Sequence, residues 1–256
     1  ILIIGSGIIG KFNALELSEQ GFQITIADPQ ENKNSSNAAL GLLISHMYQK
    51  NKGRSWELRE KSNELWPKWI NFLQQYNNNL KIEKPLIQLT TDQSKFEKLS
   101  KFISHHPMRG LKVLERNSTI IQNINNIFNI DNLKGVISYQ DGRIDPLSLL
   151  KTLNIYLKIK NINCVNEEII KIKKLNNQWI STCRNALEIK SDLIILCNSL
   201  DANKLINLKS HNIKLKPVLG QAMEISINEK EINLLSLPKH FSINSKNFLP
   251  KDKNRI

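Results

Sequence analysis

Three glycines near the start of the chain have the spacing of a phosphate-binding turn. Gly5, Gly7 and Gly10 form the pattern G-x-G-x-x-G between an apolar run and a helical pattern. In such a pattern the first glycine permits a tight turn, the second lets the backbone approach a pyrophosphate, and the third allows the helix to pack closely. Free N–H groups at the helix start attract the phosphates. The spacing therefore predicts a dinucleotide site.

A carboxylate follows at the end of the next apolar run. Asp28 lies about 20 residues after the glycines, where a side chain accepts hydrogen bonds from ribose hydroxyls and repels the 2′-phosphate of NADP. Pro29 ends this run. The glycines and Asp28 by themselves leave open a nicotinamide enzyme, a flavin enzyme and a turn with a purely structural role.

These residues need a strand–helix–strand unit to hold them. Ile1–Ile4 and Phe22–Ala27 are predicted strands, and a helix at about Ile8–Gln20 joins them. A longer amphipathic helix is predicted at about Trp56–Tyr76, and Pro67 should kink or divide it. The later alternation of strands and helices, with an antiparallel middle, predicts an α/β part and an α+β part. Further strands are predicted at Leu86–Thr90, Ile162–Val165, Glu168–Leu175 and Asp192–Leu196, and the last of these is expected to be buried on both faces. Further helices are predicted after Asp92, within Lys112–Asn126 and from Asp145-Pro146 to about Ile159. The remaining predicted elements are a hairpin of Trp179–Thr182 and Leu187–Ile189 and an extended segment at Lys214–Ile227.

Charge and cysteine content narrow the class of protein. The 256 residues carry a formal net charge of +13, which fits either a nucleic-acid partner or a general enrichment in Lys, Asn and Ile. The lysines are scattered rather than clustered, which favours the second interpretation. The number and spacing of the three cysteines, Cys164, Cys183 and Cys197, fit neither a disulfide framework nor a metal site. Free thiols of this kind are typical of proteins in a reducing cytoplasm. No apolar stretch approaches the ~20 residues of a membrane span.

Three other stretches are ambiguous when they are taken singly. Ser35–Leu43 (SSNAALGLL) combines small residues with one glycine, and it could be a loop or the start of a helix. Asp141–Pro146 (DGRIDP) has the form of a turn followed by a helix cap. Leu215–Gln221 (LKPVLGQ) could be the entry to a strand.

Taken in order, IIGSGIIG, IAD, SSNAALGLL, DGRIDP, DLIILCNS and KPVLGQ resemble the D-amino-acid oxidase/glycine oxidase-like family of FAD-dependent oxidoreductases over nearly the whole chain. The resemblance implies FAD rather than NAD. It also implies a Rossmann-like FAD/NAD(P)-binding domain with an inserted α+β substrate domain on a mixed sheet. The implied segments are 1–80 and 146–213 for the FAD domain, 81–145 for the substrate domain, and 214–256 for the start of its sheet.

The resemblance also implies which residues surround FAD. The backbone at Ile170 would meet the adenine, and Ala39–Leu42 would pass close to the flavin ring. The family more often has Glu at position 28 and Gly at position 199, so this chain departs from the pattern twice. The full set of implied FAD contacts is Gly5, Ser6, Gly7, Ile8, Ile9, Gly10, Asp28, Pro29, Ser35, Ser36, Ala39, Leu40, Gly41, Leu42, Ile170, Cys197, Asn198 and Ser199.

Family members continue past Ile256, so we expect the chain to be C-terminally incomplete and to lack the substrate-carboxylate Arg. No catalytic residue is therefore assigned. His46 is the candidate substrate contact, with a surface role as the alternative, whereas His105 and His106 are expected in a loop. Asp145 is not expected to be a base, because amine oxidation in this family needs no strong base.

The implied activity is oxidation of a primary or secondary amine, with an amino acid of the glycine or D-amino-acid type as the expected small-molecule substrate. A hydride would pass to flavin N5, and water would hydrolyse the imine. Two alternatives stay open. ILCNS and KPVLGQAMEI equally resemble the FAD domain of a tRNA wobble-uridine modification enzyme, whose RNA substrate the charge would suit. The Ser199 departure also fits a non-catalytic dinucleotide-binding protein.

Overall fold

The computed structural model describes residues 1–30, 34–50, 52–206, 213, 215–227 and 233–256. The chain divides into two compact units, each built from three separate segments. Unit 1 comprises Ile1–Ala39, Leu73–Leu80 and Pro146–Gln221, and unit 2 comprises Leu40–Phe72, Lys81–Asp145 and Ala222–Ile256. Residues 40–72 thus belong with unit 2, whereas the sequence-based division of the chain, which stays a prediction, placed them in the FAD domain.

The helices alternate with the strands through most of the chain. They are α1 (Ile8–Glu19), α2 (Arg54–Leu73), α3 (Gln93–His105), α4 (Thr119–Phe128), α5 (Pro146–Ile159) and α6 (Ala202–Leu205). The strands are β1 (Leu2–Ile4), β2 (Thr25–Ala27), β3 (Leu42–Leu43), β4 (Leu86–Thr90), β5 (Leu111–Leu114), β6 (Lys134–Ser138), β7 (Gly142–Arg143), β8 (Asn163–Val165), β9 (Ile169–Leu175), β10 (Gln178–Cys183), β11 (Glu188–Ser191), β12 (Ile194–Leu196), β13 (Phe241–Ile243) and β14 (Lys246–Phe248).

Unit 1 is built around a parallel sheet in the order β12-β1-β2-β8. Leu2 on β1 is opposite Thr25 on one side and Ile194 on the other, so the apolar start of the chain becomes the buried central strand. Helix α1 returns the chain between the parallel strands β1 and β2, as a βαβ unit requires. Strands β9, β10 and β11 add an antiparallel sheet, which confirms the predicted hairpin.

Unit 2 contains a mixed sheet in the order β14-β13-β4-β6-β5. Strand β13 runs parallel to β4, whereas the other neighbours are antiparallel. The side chain of Asp92 accepts a hydrogen bond from the Lys95 N–H, which confirms it as the N-cap of α3. The buried side chains beneath the sheet are Ile87, Leu89, Ile121, Ile124, Leu133, Ile137, Leu234, Leu237, Phe241 and Ile243. The predicted α/β fold with a second, mixed-sheet part is confirmed.

Several local expectations were wrong. The long helix is not divided at Pro67, because α2 is continuous through it, and the alternative expectation of a kink there stays a prediction. Strand β12 is only half-buried, since it is the edge strand of its sheet and pairs with β1 alone. The stretch KPVLGQ forms no strand, and Val218 and Leu219 are exposed. Strand β2 begins at Thr25 rather than at Phe22, because the Phe22 N–H still donates to the Leu17 carbonyl of the preceding helix.

Two absences bear on function, and both refer to the described residues only. None of the described helices combines the length and apolar character needed to span a membrane. Within the same part of the chain, no group of three His, Cys, Asp or Glu residues is arranged to hold a metal ion. The three cysteines are free thiols, and the cytoplasmic location inferred from them stays a prediction.

Candidate dinucleotide site

The glycine turn between β1 and α1 has no room for side chains. Gly5 has a φ of +105°, and a Cβ there would lie 2.6 Å from the Cys197 carbonyl oxygen. A Cβ on Gly7 would lie 2.9 Å from Ser36 Oγ, and one on Gly10 would overlap the Gly5 carbonyl oxygen. Gly5 and Gly10 therefore permit the tight turn and the close packing of the helix that the spacing predicted, whereas the approach of Gly7 to a pyrophosphate stays a prediction.

The first turn of α1 faces this loop with backbone N–H groups. Gly7 is the N-cap residue, and because it has no side chain it supplies no capping oxygen. Ser36 Oγ instead accepts the Ile8 N–H at 2.9 Å. Helix N-termini of this kind attract anions through their N–H groups and their partial positive charge. Ser36, one of the implied FAD contacts, thus contacts the glycine turn directly.

Asp28 connects the end of β2 to the same turn. One carboxylate oxygen accepts the Ser6 N–H at 2.6 Å, and the other accepts the Gln30 N–H at 2.7 Å. The side chain is half-buried, at the carboxyl end of a parallel strand where nucleotide ribose binds in such folds. Asp28 therefore fixes the glycine turn, and it stands at the predicted ribose position.

The loop that follows β12 contacts the glycine turn. The Cys197 N–H donates to the Ile4 carbonyl oxygen at 2.7 Å. Ser199 has a φ of +55°, so a serine adopts the left-handed conformation that favours glycine, the residue more common at this position in the family. Asn198 Oδ1 is buried and has no hydrogen-bond partner among the described residues. A hydroxyl or amide of a bound cofactor would satisfy this orphaned acceptor.

The other predicted contacts are distributed over both units. Ile170 lies half-exposed on β9 of unit 1. Ser35 and Ala39 are exposed in the same unit, whereas Leu40–Leu42 belong to unit 2, where Leu42 pairs with Arg143. The structure thus joins residues 5–8, 10, 28, 36, 197 and 198 into one cluster. The FAD contacts assigned to these residues, and those assigned to Ile9, Pro29, Ser35, Ala39–Leu42, Ile170 and Ser199, stay predictions.

His46 of unit 2 lies in a loop that is anchored by a buried carboxylate. Asp141 is fully buried and accepts the N–H groups of Ser45, His46 and Met47 at 2.7, 2.9 and 2.8 Å. The His46 Nδ1 atom lies 2.9 Å from Ser45 Oγ. Sequence reasoning treated Asp141 only as a turn residue and missed this role, although DGRIDP had marked the position.

A buried cation holds the carbonyl groups of the same loop. Arg109 donates to the His46 and Tyr48 carbonyl oxygens at 3.2 and 2.6 Å. Its guanidinium lies 4.2 Å from the centre of the Trp56 ring and 4.9 Å from that of Phe102. No motif predicted this contact, because its members are far apart in sequence.

A cavity of about 340 Å³ lies beside this loop within unit 2. Leu42, Ile44 and Trp66 supply apolar walls, and Arg59 supplies a positive charge. The Arg59 guanidinium donates to the Ile44 carbonyl oxygen at 3.1 Å and lies over the Tyr48 ring. Unit 2 therefore offers a mixed apolar and cationic surface next to His46.

The fold, a Rossmann-type dinucleotide unit together with a second unit on a mixed sheet, is shared by a broad class of dinucleotide-dependent proteins. Comparison with known proteins identifies the family within that class. A family model described as FAD-dependent oxidoreductase matches residues 1–256. The chain belongs to this family, which confirms the resemblance seen in the sequence and FAD as the cofactor. No curated protein sequence is significantly similar to the chain.

Solved structures share the fold at low sequence identity. The glycine oxidase from Bacillus cereus ATCC 14579 has a TM-score of 0.78 at 18% identity, with 99% of this chain and 68% of that chain covered. The iminodiacetate oxidase from Chelativorans sp. BNC1 has a TM-score of 0.76 at 18% identity, with 99% and 69% covered. The L-proline dehydrogenase from P. horikoshii has a TM-score of 0.69 at 15% identity, with 99% and 67% covered.

The cluster in unit 1 fits the adenosine-diphosphate part of FAD. The N-cap residue Gly7 has no side chain, and the N-terminus of α1 would offer backbone donors and a partial positive charge to a diphosphate. Asp28 stands at the predicted ribose position, and Asn198 Oδ1 is a buried acceptor with no donor among the described residues. These residues would hold the nucleotide half of the cofactor.

Proposed function

We propose that the protein uses FAD to oxidise a primary or secondary amine, with an amino acid as the substrate. The observation that carries the proposal is the family match over residues 1–256 together with a glycine turn shaped for a diphosphate. Enzymes named for glycine, iminodiacetate and L-proline share the fold, and each name denotes an oxidase or dehydrogenase of an amino or imino acid.

The chain's own residues bind and orient the cofactor in this proposal. The backbone of the glycine turn and the N-terminus of α1 bind the diphosphate. Asp28 keeps the turn in shape and accepts a ribose hydroxyl, and Asn198 Oδ1 accepts a further donor. Bound FAD would supply the electron-accepting chemistry for loss of a hydride from the carbon next to the amine nitrogen. Water then converts the imine to a carbonyl compound and releases the nitrogen.

His46 is the proposed polar contact for the substrate. Ser45 Oγ holds its Nδ1 atom, and Asp141 holds its backbone, so the ring has a fixed orientation. The side chain keeps about a quarter of its surface exposed, which leaves Nε2 as the nitrogen able to meet a ligand. Amine oxidation by hydride loss needs orientation and a dry environment more than it needs a strong base.

The test is anaerobic reduction of the bound flavin. Purified protein is mixed with glycine, N-methylglycine, D-alanine, L-proline or iminodiacetate, and a 2-hydroxy acid of matched size serves as the control. The proposal expects at least one amine to bleach the visible flavin absorbance and to yield the matching carbonyl compound. Protein without flavin, or flavin that only the hydroxy acid reduces, contradicts it.

A carboxymethylaminomethyl uridine in tRNA is a second candidate substrate, which the net charge of +13 would suit. Cations that neutralise phosphates release counterions, so binding of tRNA should weaken steeply as salt increases. The measurement is tRNA affinity at two salt concentrations, together with flavin reduction by modified tRNA. A flat salt response and no reduction remove this candidate.

A further inference from the structure

A lysine is buried inside the glycine turn of unit 1. Lys11 lies in the first turns of α1, and its side chain is only 6% exposed. Side chains on a helix lean towards its N-terminus, so the Lys11 ammonium reaches back to the turn and donates to Ser6 Oγ. Ser6 lies between Gly5 and Gly7, the two residues whose backbone forms the diphosphate cradle.

This position is unfavourable for a cation when the chain is considered alone. The N-terminal end of a helix carries a partial positive charge, which repels an ammonium group. Burial removes water from the charge and lowers the pKa of Lys11, although the nearby Asp28 carboxylate opposes that change. An apolar side chain of similar length would avoid both penalties. A buried cation at this end of the helix therefore calls for an anion beyond Asp28.

A short network links Lys11 to the residues that shape the site. Lys11 donates to the Ser6 hydroxyl, the Ser6 N–H donates to Asp28 at 2.6 Å, and the other Asp28 oxygen accepts the Gln30 N–H. The ammonium thus fixes the middle residue of the turn and partly neutralises the carboxylate beside it. An incoming diphosphate meets less repulsion from Asp28 as a result.

We propose that Lys11 is a positioning residue for the diphosphate of FAD: it holds Ser6 and Asp28 in place and supplies a positive charge beneath the turn. The inference rests on the proposed nucleotide site in unit 1. It does not depend on which amine is oxidised.

The experiment measures nucleotide affinity rather than turnover. Lys11→Met removes the charge at similar length, Lys11→Arg keeps it, and Lys151→Met changes an exposed lysine on α5 of the same unit. Flavin-free protein prepared by dialysis is titrated with ADP, with FAD and with riboflavin at two salt concentrations. We expect Lys11→Met to weaken ADP and FAD binding about tenfold and to flatten the salt dependence. Riboflavin affinity should not change, and Lys11→Arg should restore much of the loss.

Thermal unfolding of the flavin-free variants separates binding from folding. Because the lost burial penalty offsets the lost hydrogen bond to Ser6, Lys11→Met should unfold close to the wild-type temperature. Wild-type ADP affinity in Lys11→Met overturns the inference, as does an equal loss of ADP and riboflavin binding, which would indicate a purely structural role. Failure of the wild-type protein itself to bind ADP or FAD rejects the proposed nucleotide site, and the role of Lys11 with it. Amine oxidation is tested separately, so its failure leaves these results intact.

Discussion

The buried carboxylate of Asp141 gives the sharpest prediction about the loop that carries His46. Replacing it by asparagine keeps the shape of the side chain but turns one acceptor oxygen into a donor. One oxygen of Asp141 accepts the Ser45 and His46 N–H groups, and the other accepts the Met47 N–H. The best orientation of Asp141→Asn therefore satisfies two N–H groups and leaves the third facing an NH₂ group.

The expected loss of stability in Asp141→Asn follows from the number of N–H groups that remain paired. A buried donor without an acceptor costs about 1–3 kcal/mol, and the two remaining hydrogen bonds also lose their charge assistance. We therefore expect Asp141→Asn to lower the free energy of unfolding of unit 2 by about 2–3 kcal/mol. Asp141→Ala, which leaves all three N–H groups unpaired, should cost more.

Hydrogen exchange is the suitable assay, because it reports on the loop itself. In the wild-type protein the amides of Ser45, His46 and Met47 should be protected, and Asp141→Asn should release the Met47 amide first. Asp131→Asn, at an exposed aspartate of the same unit, is the matched control. Equal protection and equal unfolding midpoints in the two variants would refute the assignment of Asp141 as the anchor of this loop.

Three further predictions concern unit 1. Gly10→Ala should reduce bound FAD by more than tenfold, because its Cβ overlaps the Gly5 carbonyl oxygen; flavin content is compared with that of Gly220→Ala, whose Cβ meets open space. Ser199→Gly should raise the free energy of unfolding by about 1 kcal/mol, because it relieves a left-handed serine; a lower urea midpoint contradicts this. Burial raises the pKa of Tyr156 from 10.0 to about 12. As the pH rises, the unfolded chain therefore loses the phenol proton before the folded chain does. The free energy of unfolding should fall by about 1.4 kcal/mol per pH unit between pH 10 and about pH 12. Tyr156→Phe should lack this slope, and identical slopes in the two proteins would show that the shift is absent.

Local signals in the sequence predicted the elements around the nucleotide site. The glycine spacing, the apolar runs of β1 and β2 and the Asp92 cap each depend on a few neighbouring residues, and the structure confirms them. The expectation that Pro67 divides the long helix rested on the missing N–H and the crowding of the proline ring, yet α2 runs from Arg54 to Leu73 without interruption. The stretch KPVLGQ forms no strand, because a strand needs a neighbouring strand to pair with and residues 215–221 have none in the described part of the chain.

Long-range contacts could not be predicted in the same way. Asp141 reaches a loop almost one hundred positions earlier, and Arg109 lies between the rings of Trp56 and Phe102. Strand β13 pairs in parallel with β4, although more than one hundred residues separate them. Lys11 has an unremarkable place in the helical pattern, and only the folded arrangement shows that its charge is buried against Ser6. Such contacts depend on which surfaces meet, and residue spacing alone does not encode this.

The most direct test of amine oxidation is the rate at which an amine reduces the flavin without oxygen, measured with ordinary substrate and with substrate deuterated on the carbon next to nitrogen. The proposed function predicts that the best amine bleaches the flavin and that deuterium slows the bleaching, because the C–H bond breaks in that step. A flavin that no amine reduces, or one that only a hydroxy acid reduces, would contradict it.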